Sequence, residues 1–222
     1  VRLGVLDVGS NTVHMVAVDA RNGGHPTPMS DWKTSLRLVE LIDGDGAIGD
    51  KGVKRLTNAV AEAADLAKTL GCQEVMSFAT SAVRSATNSD EVLDSVEDET
   101  GVRLEVLSGE DEARLTFLAV RRWCGWSAGR ITNLDIGGGS LELSTGSDET
   151  PDVAISLDLG AGRLTHQWFN TDPPERKKVN LLRDYIDAEL VEPARQMRAY
   201  GTAGLAVGTS KTFRTLARLT GA

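Results

Sequence analysis

Along this chain, apolar positions alternate over short stretches and recur at three and four over longer ones. The two periods separate strands from helices. Arg2–Val8 reads as a buried strand ending in the turn Gly9-Ser10-Asn11, and residues 13–19 as the returning strand. Asn22-Gly23-Gly24-His25-Pro26 is turn-like, and residues 32–41 resume a strand pattern before the loop Asp43-Gly44-Asp45-Gly46. Val53, Leu56, Val60, Ala63, Ala64, Ala67 and Leu70 then lie on one helical face, with Asp50 as N-cap and Gly71 as stop. A strand at 75–79 precedes a helix opened by Asn88 and Glu91 in a capping-box arrangement and ended by Gly101. A strand at 103–107 leads to a helix from Glu110 to Trp123, capped by Ser108.

After residues 125–129 the pattern begins again. Ile131–Ile136 is an apolar strand ending in Gly137-Gly138-Gly139-Ser140, followed by strands at 141–144 and 153–159. Pro173-Pro174 precedes a long helix at 178–200, with Pro193 as a kink. A strand at 203–207 and a helix at 212–219 follow. The two halves resemble each other. Leu6-Asp7-Val8-Gly9-Ser10 and Leu134-Asp135-Ile136-Gly137-Gly138 both read Leu-Asp-(Val/Ile)-Gly-(small) at a strand end. This predicts two related α/β domains, residues 1–122 and 123–222, each a mixed sheet with flanking helices, facing across a cleft.

Composition narrows the chemistry. The 222 residues are 41% hydrophobic and 25% charged, ordinary globular values. The net charge of −8 removes any long-range basic field, so neither nucleic acid nor an anionic membrane is an expected partner. An anionic ligand must be held by local groups. Cys72 and Cys124 sit in no C-x-x-C pair, and His14, His25 and His166 are scattered, which argues against a zinc cage. No apolar run approaches the ~18 residues of a membrane span. The chain opens on a strand, so no signal peptide is expected and the cytoplasm is the expected location.

A strand ending in Asp and turning on Gly-Ser converges backbone N–H groups where no Cβ blocks approach, a geometry that cradles phosphate oxygens. Gly9, Ser10 and Asn11 form one such turn and Gly137, Gly138, Gly139 and Ser140 the stronger one. Asp7, Asp135 and Glu142 lie on or beside them. They suit Mg²⁺, which takes one or two carboxylates plus water, or they hydrogen-bond their own turns. Glu110, Asp111 and Glu112 either favour the helix dipole or include a general base; the residues alone do not choose. Arg84, just after a strand, and Gly208-Thr209-Ser210-Lys211-Thr212, opening a helix, read as anion sites. The second is no Walker A loop, since its Lys follows the glycine by three. Arg121-Arg122 and Arg176-Lys177-Lys178 read as solvated faces, and Cys72, Cys124, Trp123 and Trp126 as packing residues.

The motifs Asp7-Val8-Gly9-Ser10-Asn11-Thr12, Ala79-Thr80-Ser81-Ala82-Val83-Arg84, Ser108-Gly109-Glu110-Asp111-Glu112-Ala113-Arg114, Asp135-Ile136-Gly137-Gly138-Gly139-Ser140-Leu141-Glu142-Leu143 and Gly208-Thr209-Ser210-Lys211 occur in this order. Together they resemble the exopolyphosphatase / guanosine pentaphosphate phosphohydrolase family, within the actin–Hsp70–sugar-kinase superfold of actin-like (ribonuclease H-like) domains. The resemblance implies that Glu112 is the base that activates water and that Arg84 contacts the phosphate chain. It implies phosphate loops at residues 7–11, with Gly9, Ser10 and Asn11, and 137–140, with Lys211 as the lysine of the last motif. Asp135 and Glu142 match metal-linked acids, with Asp7 beside them. The cofactor implied is Mg²⁺, with Mn²⁺ as the alternative. Leu141 and Thr12 depart from the family's common Thr and Ser. Members continue past the last motif, so a truncated, an incompletely ordered or a divergent second domain are the alternatives at its C-terminal side.

The implied activity is Mg-dependent hydrolysis of the terminal phosphoanhydride of inorganic polyphosphate, releasing orthophosphate. The alternative substrate is guanosine pentaphosphate (pppGpp), cleaved at its 5′ phosphoanhydride. A non-catalytic polyphosphate or alarmone binder, or a kinase of the same superfold, are alternatives of another class. A homodimer is left open.

Overall fold

A computed structural model describes residues 1–21 and 27–221. The turn expected at 22–26, with His25, lies outside the described residues. The chain packs as two compact units, Val1–Leu107 and Ser108–Ala222.

In the first unit, β1 (Arg2–Val8), β2 (Thr12–Asp19) and β3 (Thr27–Ser35) form an antiparallel meander. A 3-10 helix (Leu38–Leu41) leads to α1 (Asp50–Thr69). Then come β4 (Glu74–Ala79), α2 (Ser81–Arg84), α3 (Ser89–Thr100) and β5 (Glu105–Val106). The sheet order is β3-β2-β1-β4-β5, with β4 parallel to β1 and β5 parallel to β4. Alternation puts Leu6 and Val8 of β1 and Val13, Met15 and Ala17 of β2 into the core. The apolar face of α1, Leu56, Val60, Ala63 and Ala67, covers them.

Three local expectations change here. The strand pattern at 32–41 breaks after Ser35: Leu36 and Arg37 N–H both donate to the Asn11 carbonyl, and Arg37 takes φ +52°. The chain therefore turns into the 3-10 helix instead of continuing as strand. Gly49, not Asp50, is the N-cap of α1, and no side chain caps it. Asn88 is the N-cap of α3 but makes no capping bond. Its amide instead accepts from Ile48 N–H at 2.8 Å and donates to Ile48 O at 3.0 Å, fixing the loop before α1 to the start of α3.

The second unit opens with α4 (Gly109–Cys124) and a 3-10 turn (Trp126–Ala128). The meander β6 (Ile131–Ile136), β7 (Leu141–Gly146) and β8 (Val153–Leu157) follows, then α5 (Ala161–Trp168), α6 (Arg176–Arg198), β9 (Leu205–Thr209) and α7 (Ser210–Thr220). The order β8-β7-β6-β9, with β9 parallel to β6, repeats that of the first unit. The sequence reading divides the chain at 122/123; the packing divides it before α4. Phe117 and Val120 of α4 bury with Ile131 of β6, so the helix belongs with the second sheet. Helix α5 is an element the apolar pattern did not reveal.

Arg121, expected on a solvated face, is 1% exposed. Its guanidinium donates to the carbonyls of Gly125, Gly129 and Gly146 and lies 5.8 Å from the Trp126 ring centroid. Carbonyl oxygens on three sides solvate the charge that burial would otherwise penalise. Trp123 and Trp126, expected to pack, are 91% and 62% exposed. Cys72 and Cys124 do pack against core clusters as expected. Among the described residues no helix is long and apolar enough to cross a membrane.

The Asn88 clamp yields a test. Asn88→Ala should lower stability by about 1–3 kcal/mol, read as a shift in urea midpoint, because buried Ile48 groups lose partners. Asn88→Asp caps helices equally well but cannot donate to Ile48 O, so it should destabilise too. Full stability of Asn88→Asp would show that Asn88 acts only as a cap.

Candidate functional site

In each unit the first strand ends in a turn closed by the same bond. Gly9 N–H donates to Thr12 O at 2.9 Å and Gly137 N–H to Ser140 O at 2.9 Å. A Cβ on either glycine would sit 3.3 Å from that oxygen. The sequence repeat is thus a repeat of backbone geometry.

In the first unit the turn carbonyls are held from one side. Leu38 N–H donates to Ser10 O, and Leu36 and Arg37 N–H to Asn11 O. Ser10 is buried, its hydroxyl 2.8 Å from that of Ser81, the first residue of α2. Thr80 N–H donates to Val8 O, so β1 and β4 deliver the turn and α2 to one end of the sheet. Arg84 closes α2, and its Nη1 donates to Leu107 O at 2.8 Å. Asp7 is exposed, one residue before the end of β1, with His14 as its cross-strand partner. His14 pairs with Asp31 at 3.0 Å.

In the second unit, the start of α5 lies against the glycine-rich turn. Ala161 N–H donates to Gly137 O at 3.0 Å and Arg163 N–H to Gly138 O at 2.9 Å. A trans peptide points its N–H opposite its C=O. The Gly138 and Gly139 N–H groups therefore face away from α5, as an anion-binding concavity requires. Approach is close: a Cβ at Gly160 would come within 2.3 Å of Gly139 C and Ser140 N. Only glycine admits α5 here. Sequence reasoning missed this segment, although Gly160-Ala161-Gly162 was a visible signal.

Asp135 and Glu142 are cross-strand partners in the β6–β7 register, so their side chains share one face. Glu142 is 3% exposed and accepts from the Ser156 hydroxyl at 2.8 Å. Asp135 accepts at 2.8 Å from the Thr209 hydroxyl at the end of β9, not from its own turn. Burial pushes the Asp135 carboxyl above its ordinary range, and the Thr209 bond only partly opposes this. A half-buried and a buried carboxylate side by side on one sheet face are a donor set suited to a hard cation. Among the described residues, no group of three or more His, Cys, Asp or Glu could hold a metal ion. The residues thus fit Mg²⁺ held by one or two carboxylates and water, not a protein cage.

Lys211, exposed, is the second residue of α7, next to Ser210 at φ +84°. The parallel pairing of β6 and β9 brings this motif to the same sheet end as Asp135. Of the three acids opening α4, Glu110 pairs with Arg114, and Asp111 bonds the Ser108 cap in both directions. Glu112 is the half-buried one, while Glu110 and Asp111 are exposed. Arg176 and Lys177 are exposed, as expected of a solvated face, whereas Lys178 is half-buried and its Nζ donates to Asn170 Oδ1 at 2.5 Å.

Residues 17–222 match the Ppx/GppA phosphatase family. Exopolyphosphatase 1 of Mycobacterium tuberculosis is 62% identical over 221 residues, covering 100% of this chain and 64% of that protein. A crystal structure of an exopolyphosphatase from Cytophaga hutchinsonii superposes with TM-score 0.89 at 27% identity, over 99% of this chain and 70% of that one. The Aquifex aeolicus member of the Ppx/GppA family gives TM-score 0.77 at 26% identity, over 99% and 69%. The chain spans 64% of the length of the mycobacterial relative. By residues matched, by sequence identity and by its two repeated mixed sheets, this actin-like α/β chain belongs to the Ppx/GppA phosphatase family.

Proposed function

We propose that the chain carries the phosphate-holding and water-activating residues of an exopolyphosphatase, which cleaves the terminal phosphoanhydride of inorganic polyphosphate. The observation that carries this reading is the 137–140 turn. Its carbonyls are held by α5, its N–H groups face the other way, and the cross-strand carboxylate pair Asp135 and Glu142 flanks it. The name of the mycobacterial relative, exopolyphosphatase, supports the same substrate. The pairing of names in the family supports pppGpp as the second substrate reading.

In this mechanism the N–H groups of 138–140 and the Lys211 ammonium receive phosphate oxygens. In the first unit, the 9–11 turn and Arg84 serve as the other phosphate-holding group; a guanidinium fork suits two oxygens at once. Glu112 takes a proton from water as its oxygen bonds to the terminal phosphorus. The bond from that phosphorus to the bridging oxygen breaks, and the shortened chain leaves with the bridging oxygen. Asp135 and Glu142 would hold Mg²⁺, which when bound supplies neutralisation of phosphate charge. Positioning and electrostatics do most of the work in such transfers.

Incubation with medium-chain polyphosphate and Mg²⁺, beside pppGpp and ATP, should release orthophosphate from polyphosphate ends. Mid-sized fragments appearing first would overturn the exopolyphosphatase reading, and ATP turnover that needs an acceptor would favour a kinase. Glu112→Gln should lower kcat about 10²–10⁴-fold, the usual loss for a general base, with polyphosphate binding retained. Glu110→Gln, which removes only a helix-surface pair, should do far less. Equal losses would reject Glu112 as the base.

Asp135 gives a pH test. Its raised pKa means that the folded state binds this proton more readily than the unfolded chain does. The ionised carboxylate therefore destabilises the fold at neutral pH, and the cost is relieved as pH falls through the raised pKa. In chelator, Asp135→Asn should raise Tm at neutral pH, with the gain shrinking toward acid. With polyphosphate, the same variant should need more Mg²⁺ for half-maximal rate. A gain that grows toward acid, or an unchanged Mg²⁺ midpoint, would count against the assignment.

A further inference from the structure

Three consecutive peptides make up the glycine-rich turn, and each must be oriented for its N–H to face an anion. Two are fixed by main chain: Gly137 O by Ala161 N–H and Gly138 O by Arg163 N–H. The third is not. The Gly139 carbonyl receives the Arg163 side chain, whose Nε donates to it at 2.8 Å. Among the described residues no main-chain N–H donates to that oxygen. Peptide planarity then makes the direction of the Ser140 N–H depend on a side chain.

We propose that Arg163 is a positioning residue, which aims the Ser140 N–H as the third donor of the phosphate turn. Arg163 suits this task. Its side chain is only 20% exposed, and its Nη2 lies 3.3 Å from Asp158, the residue just beyond β8. The planar fork is held at two points, so Nε arrives at Gly139 pre-aimed. A cation donating to Gly139 O also polarises that peptide, making the Ser140 N–H a better donor. Ser140 itself is 1% exposed and its carbonyl accepts from Gly137 N–H, which closes the turn. Gly160 acts on the same peptide by contact. Its φ of −69° and ψ of 145° suit any residue, so the glycine is required by the 2.3 Å approach and not by backbone strain.

The inference rests on the phosphate-turn reading, and the test separates the two. Residual dipolar couplings of the 138–140 amides in the ligand-free chain measure N–H direction without substrate. Arg163→Ala should change the Ser140 coupling and leave those of Gly138 and Gly139 in place. Arg163→Lys, which keeps one cationic donor, should restore much of it. In polyphosphate turnover, Arg163→Ala should lose roughly 10- to 100-fold in kcat/KM, the range for one charged hydrogen bond, with the lysine variant between. Gly160→Ala, with Arg163 intact, should reproduce the change at Ser140. An unmoved Ser140 coupling in Arg163→Ala overturns the proposal. So does a moved coupling with unchanged turnover, or a lysine variant no better than alanine. If the wild-type chain leaves polyphosphate untouched, the function reading fails while the couplings still decide what Arg163 does.

Discussion

The molecule depends on one small closure: a glycine N–H that returns to the carbonyl three residues later at the end of the first strand of each sheet. That bond stops the strand, reverses the chain and leaves the intervening peptides without partners in the sheet. Those peptides must then be satisfied by something else. In both units the segment after the third strand does it. Residues 36–38 hold the turn carbonyls of the first unit, and residues 161–163 hold those of the second. Carbonyls taken on one side leave N–H groups on the other. The proposed phosphate turn is thus the by-product of satisfying backbone carbonyls, and the repeat preserves its geometry because the repeat preserves the meander.

Around these turns the charge is arranged locally. The chain carries a net −8, yet its proposed ligand is a polyanion. At physiological salt the Debye length is about 8 Å, so distant acids are screened and near groups decide. Those in the second unit include the cross-strand pair of half-buried Asp135 and buried Glu142. Partial burial disfavours the ionised form of Asp135, and hydroxyls from Thr209 and Ser156 orient the two carboxylates. Arg121 shows another solution elsewhere in the same unit: a buried charge solvated by carbonyls and flanked by the Phe117 and Trp126 rings, tying α4 to one end of its sheet.

Much was legible in the chain. The two Leu-Asp-(Val/Ile)-Gly-(small) strings announced two equivalent turns, and the alternation around them set the strands, because a buried sheet face tolerates only one register. The amphipathic face of α1 and the Ser108 cap of α4 were equally plain. These features are governed by neighbours within a few residues, which is the range over which a sequence speaks directly.

What lay beyond that range was decided by packing. Asn88 looked like a cap and became a clamp, because Ile48 arrives from a distant loop with an unpaired N–H and carbonyl. Arg121 looked solvated and was buried by three carbonyls from other turns. The partner of Asp135 is Thr209, brought over by parallel pairing of β6 with β9, and no spacing rule could name it. Helix α5 has too short an apolar stripe to announce itself, yet it orients the strongest motif in the chain. The sequence by itself determined the strands, the turns and the residue types able to hold phosphate. Only the tertiary structure decided which carbonyls are taken, and hence which way the N–H groups of the turns face. That choice is made by contacts between segments far apart in the chain, and local pattern carries no record of them.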